Sequence, residues 1–267
     1  MQAAARVKND ANWDGLVVAF SWPSFGFVAN YNADEVIQAR SVEPFIQFLK
    51  AIKAAAAIHI LAHSMGNRIA LEALSILNKE APDVTPRLGQ LIFAAADEDS
   101  EVFKGKFKTF SSAGLGRTLY LSSQDPALAA SAILHYDNRA GQAWPPQQLV
   151  PYRLRRPFVL AAGLDCIDCS GAGLFENGLA YDAHGYFAQP PAIHDIAAVL
   201  QGQTVLQRTA QNETADGLTR VQHETDERLN HILTLTDNSP PPVSPSDIWW
   251  KLNTRLPVPA PPEVPSA

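Results

Sequence analysis

The chain has few of the features that mark a nucleic-acid-binding, membrane-spanning or secreted protein. Its 267 residues carry a formal net charge of -6, so it lacks the basic face that phosphate backbones require. No apolar run approaches the length that spans a bilayer. The segment Met1 to Asn12 lacks the apolar centre of a secretory signal. The sequence therefore predicts no nucleic-acid partner, no transmembrane segment and a cytoplasmic location.

Cysteine is also scarce, because the chain has only Cys166 and Cys169. Their C-x-x-C spacing is typical of a redox motif or of half a zinc site. No second pair of cysteines is present to complete a zinc site, and the pair comes just after a strand-like run. We therefore expect two small, buried or partly buried thiols and no metal site.

An ordinary globular composition accompanies these absences, with 46% apolar and 18% charged residues. Over roughly the first 200 residues, strand-like and helical patterns alternate, which is typical of a mostly parallel sheet covered by helices. The predicted strands are Gly15–Phe20, Ala57–Leu61, Gln90–Ala95, Thr118–Leu121 and Phe158–Ala162.

Between the strands, apolar residues at helical spacing predict three stretches of helix. The first runs from Asp34 to about Ala55, and Pro44 either kinks it or marks the first turn of a second helix. The others are Met65–Asn78 and a weaker helix, Ile193–Leu200. These elements predict one α/β domain over residues 1–202.

Beyond this domain the composition changes twice. Residues 203–236 form a polar extension with an exposed helix predicted through Val221–Leu233. Residues 237–267 are rich in proline and are expected to be extended or disordered. Trp249 and Trp250 are the exceptions in this tail, and we expect them to dock onto the domain or onto a partner.

The motif that carries chemistry is Ala62-His63-Ser64-Met65-Gly66, between a predicted strand and a predicted helix. A serine hydroxyl becomes a useful nucleophile when a sharp strand-to-helix turn presents it to a base. Such a turn calls for small residues two before and two after the serine. It also lets the Met65 N–H and the helix dipole stabilise an oxyanion. The alternative is a serine that only caps a helix.

A nucleophilic serine of this kind takes its acid and its base from later loops, in that order along the chain. His184 follows the last predicted strand and is the favoured base over the other downstream histidines, which are His135, His194, His223 and His231. Asp125, which ends one strand, is the favoured acid, and Asp97, which ends the strand before it, is the alternative. His63 is expected to pack or to form a hydrogen bond.

Four segments in this order carry a family resemblance: Ser21-Trp22-Pro23-Ser24, Ala62 to Arg68, Ser122 to Leu128 and His184-Gly185-Tyr186-Phe187. They resemble a bacterial group of α/β hydrolases of unknown function, usually labelled esterase/lipase-superfamily enzymes. The resemblance covers roughly residues 10–200. It implies an α/β-hydrolase fold, the triad Ser64, Asp125 and His184, and carboxylic esters as the substrate class.

One departure from that group is expected to matter. Its members carry a further strand that ends in His-Gly-Tyr/Phe-Asn and supplies the second backbone donor of the oxyanion hole. This chain has no such segment, so the sequence predicts an α/β-hydrolase fold without its N-terminal strands. In the family that strand lies between the strands at Leu16–Phe20 and Ile58–Leu61. Without it, these two strands would lose the hydrogen bonds that it makes with them.

Two functions follow as hypotheses. In the first, the chain is a serine hydrolase that cleaves a small-molecule or lipid-like ester through an acyl-enzyme, and it needs no metal or organic cofactor. In the second, it is a catalytically impaired remnant or interaction protein that retains the hydrolase fold. The ordered triad residue types favour the first, and the missing strand favours the second.

Overall fold

The computed structural model describes residues 2–11, 13–26, 30–52, 54–81, 83–144, 156–172, 183–209, 217–222 and 248–253. The strands in these ranges are β1 (Ile58–His63), β2 (Leu88–Ala94), β3 (Gly116–Leu121), β4 (Ala143–Trp144), β5 (Arg156–Pro157), β6 (Asp165–Asp168), β7 (Leu218–Gln222) and β8 (Ile248–Leu252). The α-helices are α1 (Gln2–Asp10), α2 (Tyr31–Arg40), α3 (Val42–Ala51), α4 (Gly66–Glu80), α5 (Ser100–Phe110), α6 (Pro126–His135) and α7 (Pro190–Leu200).

A six-stranded sheet forms the centre, in the order β1-β2-β3-β6-β8-β7. Its first five strands are parallel, and β7 is antiparallel to β8. The short strands β4 and β5 pair separately as an antiparallel ribbon. This mostly parallel sheet with helical connections confirms the α/β fold predicted from the alternation of patterns.

Helices cover both faces of the sheet, and apolar side chains bury the contact on each side. On one face, α3, α4 and α5 pack with side chains such as Phe45, Leu71 and Phe103 against the strands. On the other face, α7 packs with Ile196 and Val199, and α1 lies against α7. Because it is covered on both faces, β2 is buried at all seven residues, as expected for a central parallel strand.

Most predicted helices and strands form close to the expected positions. The predicted long helix after Asp34 is two helices, α2 and α3, and Pro44 lies in the first turn of α3. Proline is tolerated there because the first turn of a helix has no intrahelical partner for its N–H groups. Of the two alternatives left open for Pro44, the second is therefore correct.

Two of the predicted strands are wrong. Gly15–Phe20 is not a strand, because none of its backbone groups pairs with β1 among the described residues. Phe158–Ala162 is also outside the sheet, and the strand forms instead at β6, which includes Cys166 and Ile167. A short apolar run does not by itself establish a strand: Phe158 and Val159 are buried in a loop, and Gly15–Phe20 has no buried residue.

The expectation of an extended or disordered tail is wrong for Ile248–Leu252, which form β8 inside the sheet. Trp249 is 1% exposed and Trp250 is 6% exposed, so both dock onto the domain. The predicted helix from Val221 is wrong at its start, where Val221 and Gln222 belong to β7; residues 223–233 lie outside the described residues. The boundaries at 202 and 236 stay predictions.

Candidate active site

Ser64 stands at the bend between β1 and α4 and has a backbone φ of 53°. Non-glycine residues rarely adopt this left-handed conformation, and where they do the surrounding contacts must hold them in it. The Ser64 N–H donates to the carbonyl of Ala94 over 3.1 Å, and the Ser64 carbonyl accepts from the N–H of Asn67 over 3.0 Å. The bend therefore has the strained strand-to-helix geometry of a nucleophile elbow.

The side chain of Asn67 secures this bend from inside the protein, and sequence reasoning missed it. Its Nδ2 donates to the carbonyls of Ser64 and Ala94 over 2.9 and 3.0 Å, and the residue is fully buried. These two bonds join the elbow to the end of β2. Sequence analysis gave Asn67 no role of its own, although it lies in the Ala62–Arg68 segment that carries the family resemblance.

The sequence analysis expected that the turn needs a small residue at position 66. Among the described residues this expectation is wrong, because no neighbouring atom demands one. A Cβ added to Gly66 would meet no atom within 4 Å. Gly66 borders an open cavity beside β1, which explains the free space. Ala62, on the other side of the bend, is 7% exposed and packs in the core.

The N–H of Met65 is the expected oxyanion donor, and its position suits that role. Met65 directly precedes α4, where the first N–H groups of a helix have no intrahelical acceptor. No hydrogen bond within the described part of the chain engages this N–H. It is therefore free to donate to a ligand, and the helix dipole adds to its attraction for negative charge.

Asp125 and His184 are brought together although 59 residues separate them. The Nδ1 of His184 lies 2.8 Å from Oδ2 of Asp125. The other oxygen, Oδ1, accepts from the N–H groups of Ala127 and Leu128 over 3.0 and 3.1 Å, so Asp125 also caps α6. Its carboxylate is fully buried, whereas the His184 side chain is 27% exposed. Asp125 therefore holds the imidazole in one orientation.

A buried polar cluster supports the loop that leads to Asp125. The hydroxyl of Ser170 accepts from the N–H of Ser123 over 2.9 Å and contacts the carboxylate of Asp168. Asp168 ends β6, so the cluster joins the ends of β3 and β6. Sequence analysis did not identify this cluster, because Ser123 and Ser170 are 47 residues apart in the chain.

His63, the residue before Ser64, contacts His184. Its Nε2 lies 3.1 Å from the His184 carbonyl, and the two rings are 4.7 Å apart. Burial, with the nearby His184, lowers the pKa of His63 to about 4, so at neutral pH its ring is uncharged and its Nε2–H can donate. The expected packing and hydrogen-bonding role of His63 is confirmed, and the contact places His184 beside the elbow.

Tyr186 fixes the loop that follows His184 and was not singled out by its own chemistry. Its hydroxyl donates to the Tyr120 carbonyl over 2.9 Å and accepts from the Ala95 N–H over 3.0 Å. Burial raises the pKa of this phenol well above its usual value, and the nearby Asp125 adds to the rise. The hydroxyl therefore stays protonated and ties the histidine loop to the ends of β2 and β3.

Asp97, the alternative acid, has other partners. Its carboxylate accepts from the hydroxyls of Tyr31 and Ser131, the latter over 2.6 Å. Arg68 and Arg139 approach Oδ1 to 3.8 and 3.6 Å. Burial and the adjacent Asp97 raise the pKa of Tyr31 above its usual range, so its hydroxyl remains a donor. This network joins α2, α4 and α6 and gives Asp97 a structural role.

The remaining histidines are placed away from the bend or outside the described residues. His135 has both ring nitrogens engaged, Nδ1 with the Ser131 carbonyl at 2.8 Å and Nε2 with Glu35 at 2.9 Å. His194 is exposed on α7. His223 and His231 lie outside the described residues.

Cys166 and Cys169 are free and fully buried, as expected. Burial raises the pKa of both thiols well above the usual value, so neither is a ready thiolate. In the part of the chain that the structure describes, no cluster of three or more metal-ligating side chains occurs. Nor do the described residues include a helix long and apolar enough to cross a membrane.

The structure combines a mostly parallel sheet, a strand that ends at a strained serine before a helix, and an acid and a histidine on later loops. This combination defines an α/β hydrolase. The family model of the alpha/beta hydrolases of unknown function, DUF900, matches residues 1–203, and the chain belongs to this family. The match confirms the family resemblance that the four sequence segments carry. No curated protein and no solved structure matches the chain.

Proposed function

We propose that this chain is a serine hydrolase that cleaves carboxylic esters through an acyl-enzyme, with Ser64, His184 and Asp125 as its triad. The observation that carries the proposal is the Asp125–His184 contact of 2.8 Å, made by a histidine that also packs against the residue preceding Ser64. A buried carboxylate that receives Nδ1–H leaves Nε2 as the basic nitrogen of the ring.

The chemistry follows from these positions. The Ser64 hydroxyl attacks the ester carbonyl while Nε2 of His184 takes its proton. Asp125 stabilises the imidazolium without accepting the proton, and the Met65 N–H donates to the oxyanion. Nε2 then returns the proton to the departing alcohol, and a water molecule repeats the sequence to release the acid. No step needs a metal or an organic cofactor.

Esters are proposed because the four segments are similar to esterase/lipase-superfamily enzymes. The same triad residues would cleave amides and thioesters, so the triad does not distinguish these substrates from esters. The three classes differ in their leaving group. A small-molecule or lipid-like ester fits the partly exposed His184, which has access to solvent.

A fluorophosphonate probe tests the proposal, because it bonds covalently to an activated serine. We expect labelling of the folded chain and its loss in Ser64→Ala. Ser112→Ala is the matched control, since Ser112 is an exposed turn residue and its loss should leave labelling unchanged. A panel of p-nitrophenyl esters then measures turnover.

The second candidate, a hydrolase fold without efficient catalysis, is favoured by one observation. β1 lies at the edge of the sheet beside an open cavity, so the strand that positions Ser64 is supported from one side only among the described residues. If folded protein resists the probe while Asp125 and His184 remain in contact, this second candidate replaces the first.

A further inference from the structure

The outward side of α6 is apolar along its whole length. Its exposed residues lie at helical spacing and continue into the residue that ends the helix; they are Pro126, Ala130, Ile133, Leu134 and Tyr136. We call this set the α6 face. Ile133 is 76%, Leu134 49% and Tyr136 95% exposed. Residues 126–136 include no aspartate, glutamate, lysine or arginine, whereas the outward side of a surface helix is usually charged or polar.

The preceding helix, α5, has the usual arrangement. Glu101 and Lys108 are exposed on it, and Lys104 pairs with Glu101 over 2.7 Å. On their inner sides the two helices are alike, since α6 buries Leu128 and Ser131 and α5 buries three phenylalanines. They differ in what they present to the outside. The apolar character of the α6 face is therefore not explained by packing inside the protein.

α6 lies along the carboxyl end of the sheet, where the proposed triad stands. The helix starts directly after Asp125, and Ser131 in its middle donates to Asp97 over 2.6 Å. The N–H of Asp97 in turn donates to the Ser64 carbonyl over 3.3 Å. Residues 138–141, after the helix, also bond to the segment that follows β2. Because its inner side meets the ends of β2 and β3, α6 presents the α6 face outward at this end of the sheet.

Tyr136 is the most exposed residue of the α6 face and has a strained backbone. Its φ is 55°, in the left-handed region where a glycine or an asparagine commonly ends a helix. With 95% of the residue exposed, packing within the protein offsets little of this strain. A phenol combines an apolar ring with a polar hydroxyl, so it is favoured at the boundary between lipid and water.

The size of the α6 face argues against a stable protein partner. Its three large side chains expose on the order of a few hundred Å², whereas a specific interface buries about 800 Å² on each partner. Among the side chains of the face, only the Tyr136 hydroxyl can form a hydrogen bond, and such bonds fix the register of protein interfaces. A fluid lipid surface needs no register, because apolar side chains insert into it according to their area.

The charges beside the α6 face determine which lipid it fits. Asp137 follows the helix and contacts the buried Arg139, which also forms a backbone bridge with Asp99. Glu101, paired with Lys104, comes two residues after Asp99. This group is acidic on balance, as is the whole chain with its net charge of -6. Anionic headgroups would be repelled, so a zwitterionic surface fits better.

We propose that the α6 face docks the protein onto a zwitterionic lipid surface, with Ile133, Leu134 and Tyr136 inserted among the lipids. Docking in this way brings the end of the sheet that carries Ser64 close to the lipid. An ester whose acyl chains are held in that surface then reaches the serine without dissolving in water. This last step rests on the proposed ester hydrolysis, whereas docking itself does not.

Sedimentation with phosphatidylcholine vesicles, using the full 267-residue chain, measures docking. We expect the chain to sediment with the vesicles at roughly millimolar lipid, as a small inserted apolar area allows. Vesicles in which half of the lipid is phosphatidylglycerol should bind several-fold less, because acidic side chains lie beside the α6 face. Ser64→Ala should bind as the unaltered chain does, so this assay is independent of catalysis.

A matched pair of variants locates the contact. Ile133 is 76% and Leu115 is 78% exposed, but Leu115 directly precedes β3 and so lies at the opposite end of the sheet. Ile133→Asp should weaken vesicle binding roughly 10-fold or more, since a charge replaces an inserted side chain. Leu115→Asp should leave binding unchanged. Circular dichroism and thermal melting establish that both variants are folded.

Tyr136→Gly separates docking from stability. Glycine adopts the left-handed backbone without strain, so the melting temperature should stay the same or rise. Vesicle binding should nevertheless weaken, because the inserted ring is lost. A fall in melting temperature with unchanged vesicle binding would show that Tyr136 serves the fold and not the lipid contact.

Two esters connect docking to the proposed reaction. p-Nitrophenyl acetate dissolves in water, whereas p-nitrophenyl palmitate is presented in phosphatidylcholine vesicles. Ile133→Asp should lower turnover of the palmitate by about the factor by which it weakens binding and should keep turnover of the acetate. Equal loss of both turnovers would refute supply of the ester from lipid. If neither ester is turned over while the unaltered chain still binds vesicles, the proposed hydrolysis fails and docking stands.

Three further results would overturn docking. The first is a chain that stays in the supernatant at about 10 mM phosphatidylcholine. The second is an equal loss of vesicle binding in Ile133→Asp and Leu115→Asp, which would place the contact elsewhere. The third is a dimer in sedimentation velocity that Ile133→Asp dissociates, together with no vesicle binding, which would show that the α6 face binds a second copy of the chain.

Discussion

Replacing Asp125 with asparagine separates the two contacts of this carboxylate. Asparagine is as good an N-cap as aspartate, so its oxygen can still accept from Ala127 and Leu128, as Oδ1 does. Its amide nitrogen then faces Nδ1 of His184 in place of Oδ2. Nδ1 must become the acceptor of that bond, so the proton moves to Nε2. The ring can no longer take a proton from Ser64.

The expected loss follows from the wrong tautomer. The corresponding change in a Ser-His-Asp triad lowers kcat by about 10⁴-fold, or roughly 5 kcal/mol of transition-state stabilisation. The free energy of unfolding should change by less than about 1 kcal/mol, since the cap is kept. The assays are the rate of fluorophosphonate labelling, the turnover of p-nitrophenyl acetate and urea denaturation.

The chain offers a close control in Asp99. This residue caps α5 as Asp125 caps α6, and its Oδ1 accepts from the N–H groups of Glu101 and Val102 over 2.9 and 2.8 Å. Asp99→Asn makes the same chemical change at a cap that has no histidine, so activity should be unaffected. The reasoning is refuted if Asp125→Asn keeps more than about one tenth of the activity, or if Asp99→Asn loses as much.

Three further substitutions test the supporting contacts. The folded-state pKa of His63, about 4, lies below the usual 6.5. As pH falls, the unfolded chain therefore binds the proton before the folded chain does. This difference should lower the free energy of unfolding by roughly 3 kcal/mol between pH 6.5 and 4. Urea melts across this range should therefore show a flatter pH dependence in His63→Gln, and parallel curves would contradict it. Tyr31→Phe removes the hydroxyl bound to buried Asp97 and should lower the free energy of unfolding by about 1–3 kcal/mol in urea denaturation. The control Tyr136→Phe, at a residue 95% exposed, should lower it by almost nothing. Equal losses of stability in the two variants would count against the Tyr31–Asp97 network. Trp249→Ala should lower the free energy of unfolding by about 3–5 kcal/mol. Ile248→Ala, at the half-exposed neighbouring residue, should lower it far less. Equal losses of stability in thermal melting would show that β8 is not part of the core.

The sequence predicted the elements whose pattern is set locally. The helix after Ser64 repeats apolar residues at helical spacing, and α4 buries those residues, including Ile69, Ala73 and Leu77. The strand before the serine also forms where expected. In both cases burial on one side of a regular element leaves a period that can be read directly.

The failures occur where pairing with distant chain decides the structure. Gly15–Phe20 has the composition of a buried strand, but a strand also needs a neighbour for its backbone groups, and none lies within reach among the described residues. Conversely, Ile248–Leu252 sits between stretches rich in proline and still enters the sheet, because β6 and β7 offer edges to pair with. Composition carries no information about such partners.

The same limit explains the contacts that the sequence did not reveal. Asn67, Tyr186 and the Tyr31–Asp97 network act through hydrogen bonds between residues far apart in the chain. Among the supporting residues, His63 was given a packing or hydrogen-bonding role in advance, because it directly precedes Ser64. Side-chain chemistry thus names the candidates, and the fold determines which of them meet.

The choice between Asp97 and Asp125 turns on how much freedom each carboxylate retains. Asp97 has hydroxyl donors on both oxygens, which direct it toward Tyr31 and Ser131, and no histidine of the described residues bonds to its carboxylate. Asp125 spends one oxygen on the N-terminus of α6, and that bond fixes the direction of the other toward His184. The Asp125-Pro126 sequence is typical of a helix start. In this structure the cap is also what orients the acid, because a carboxylate held by two backbone N–H groups has little rotational freedom left.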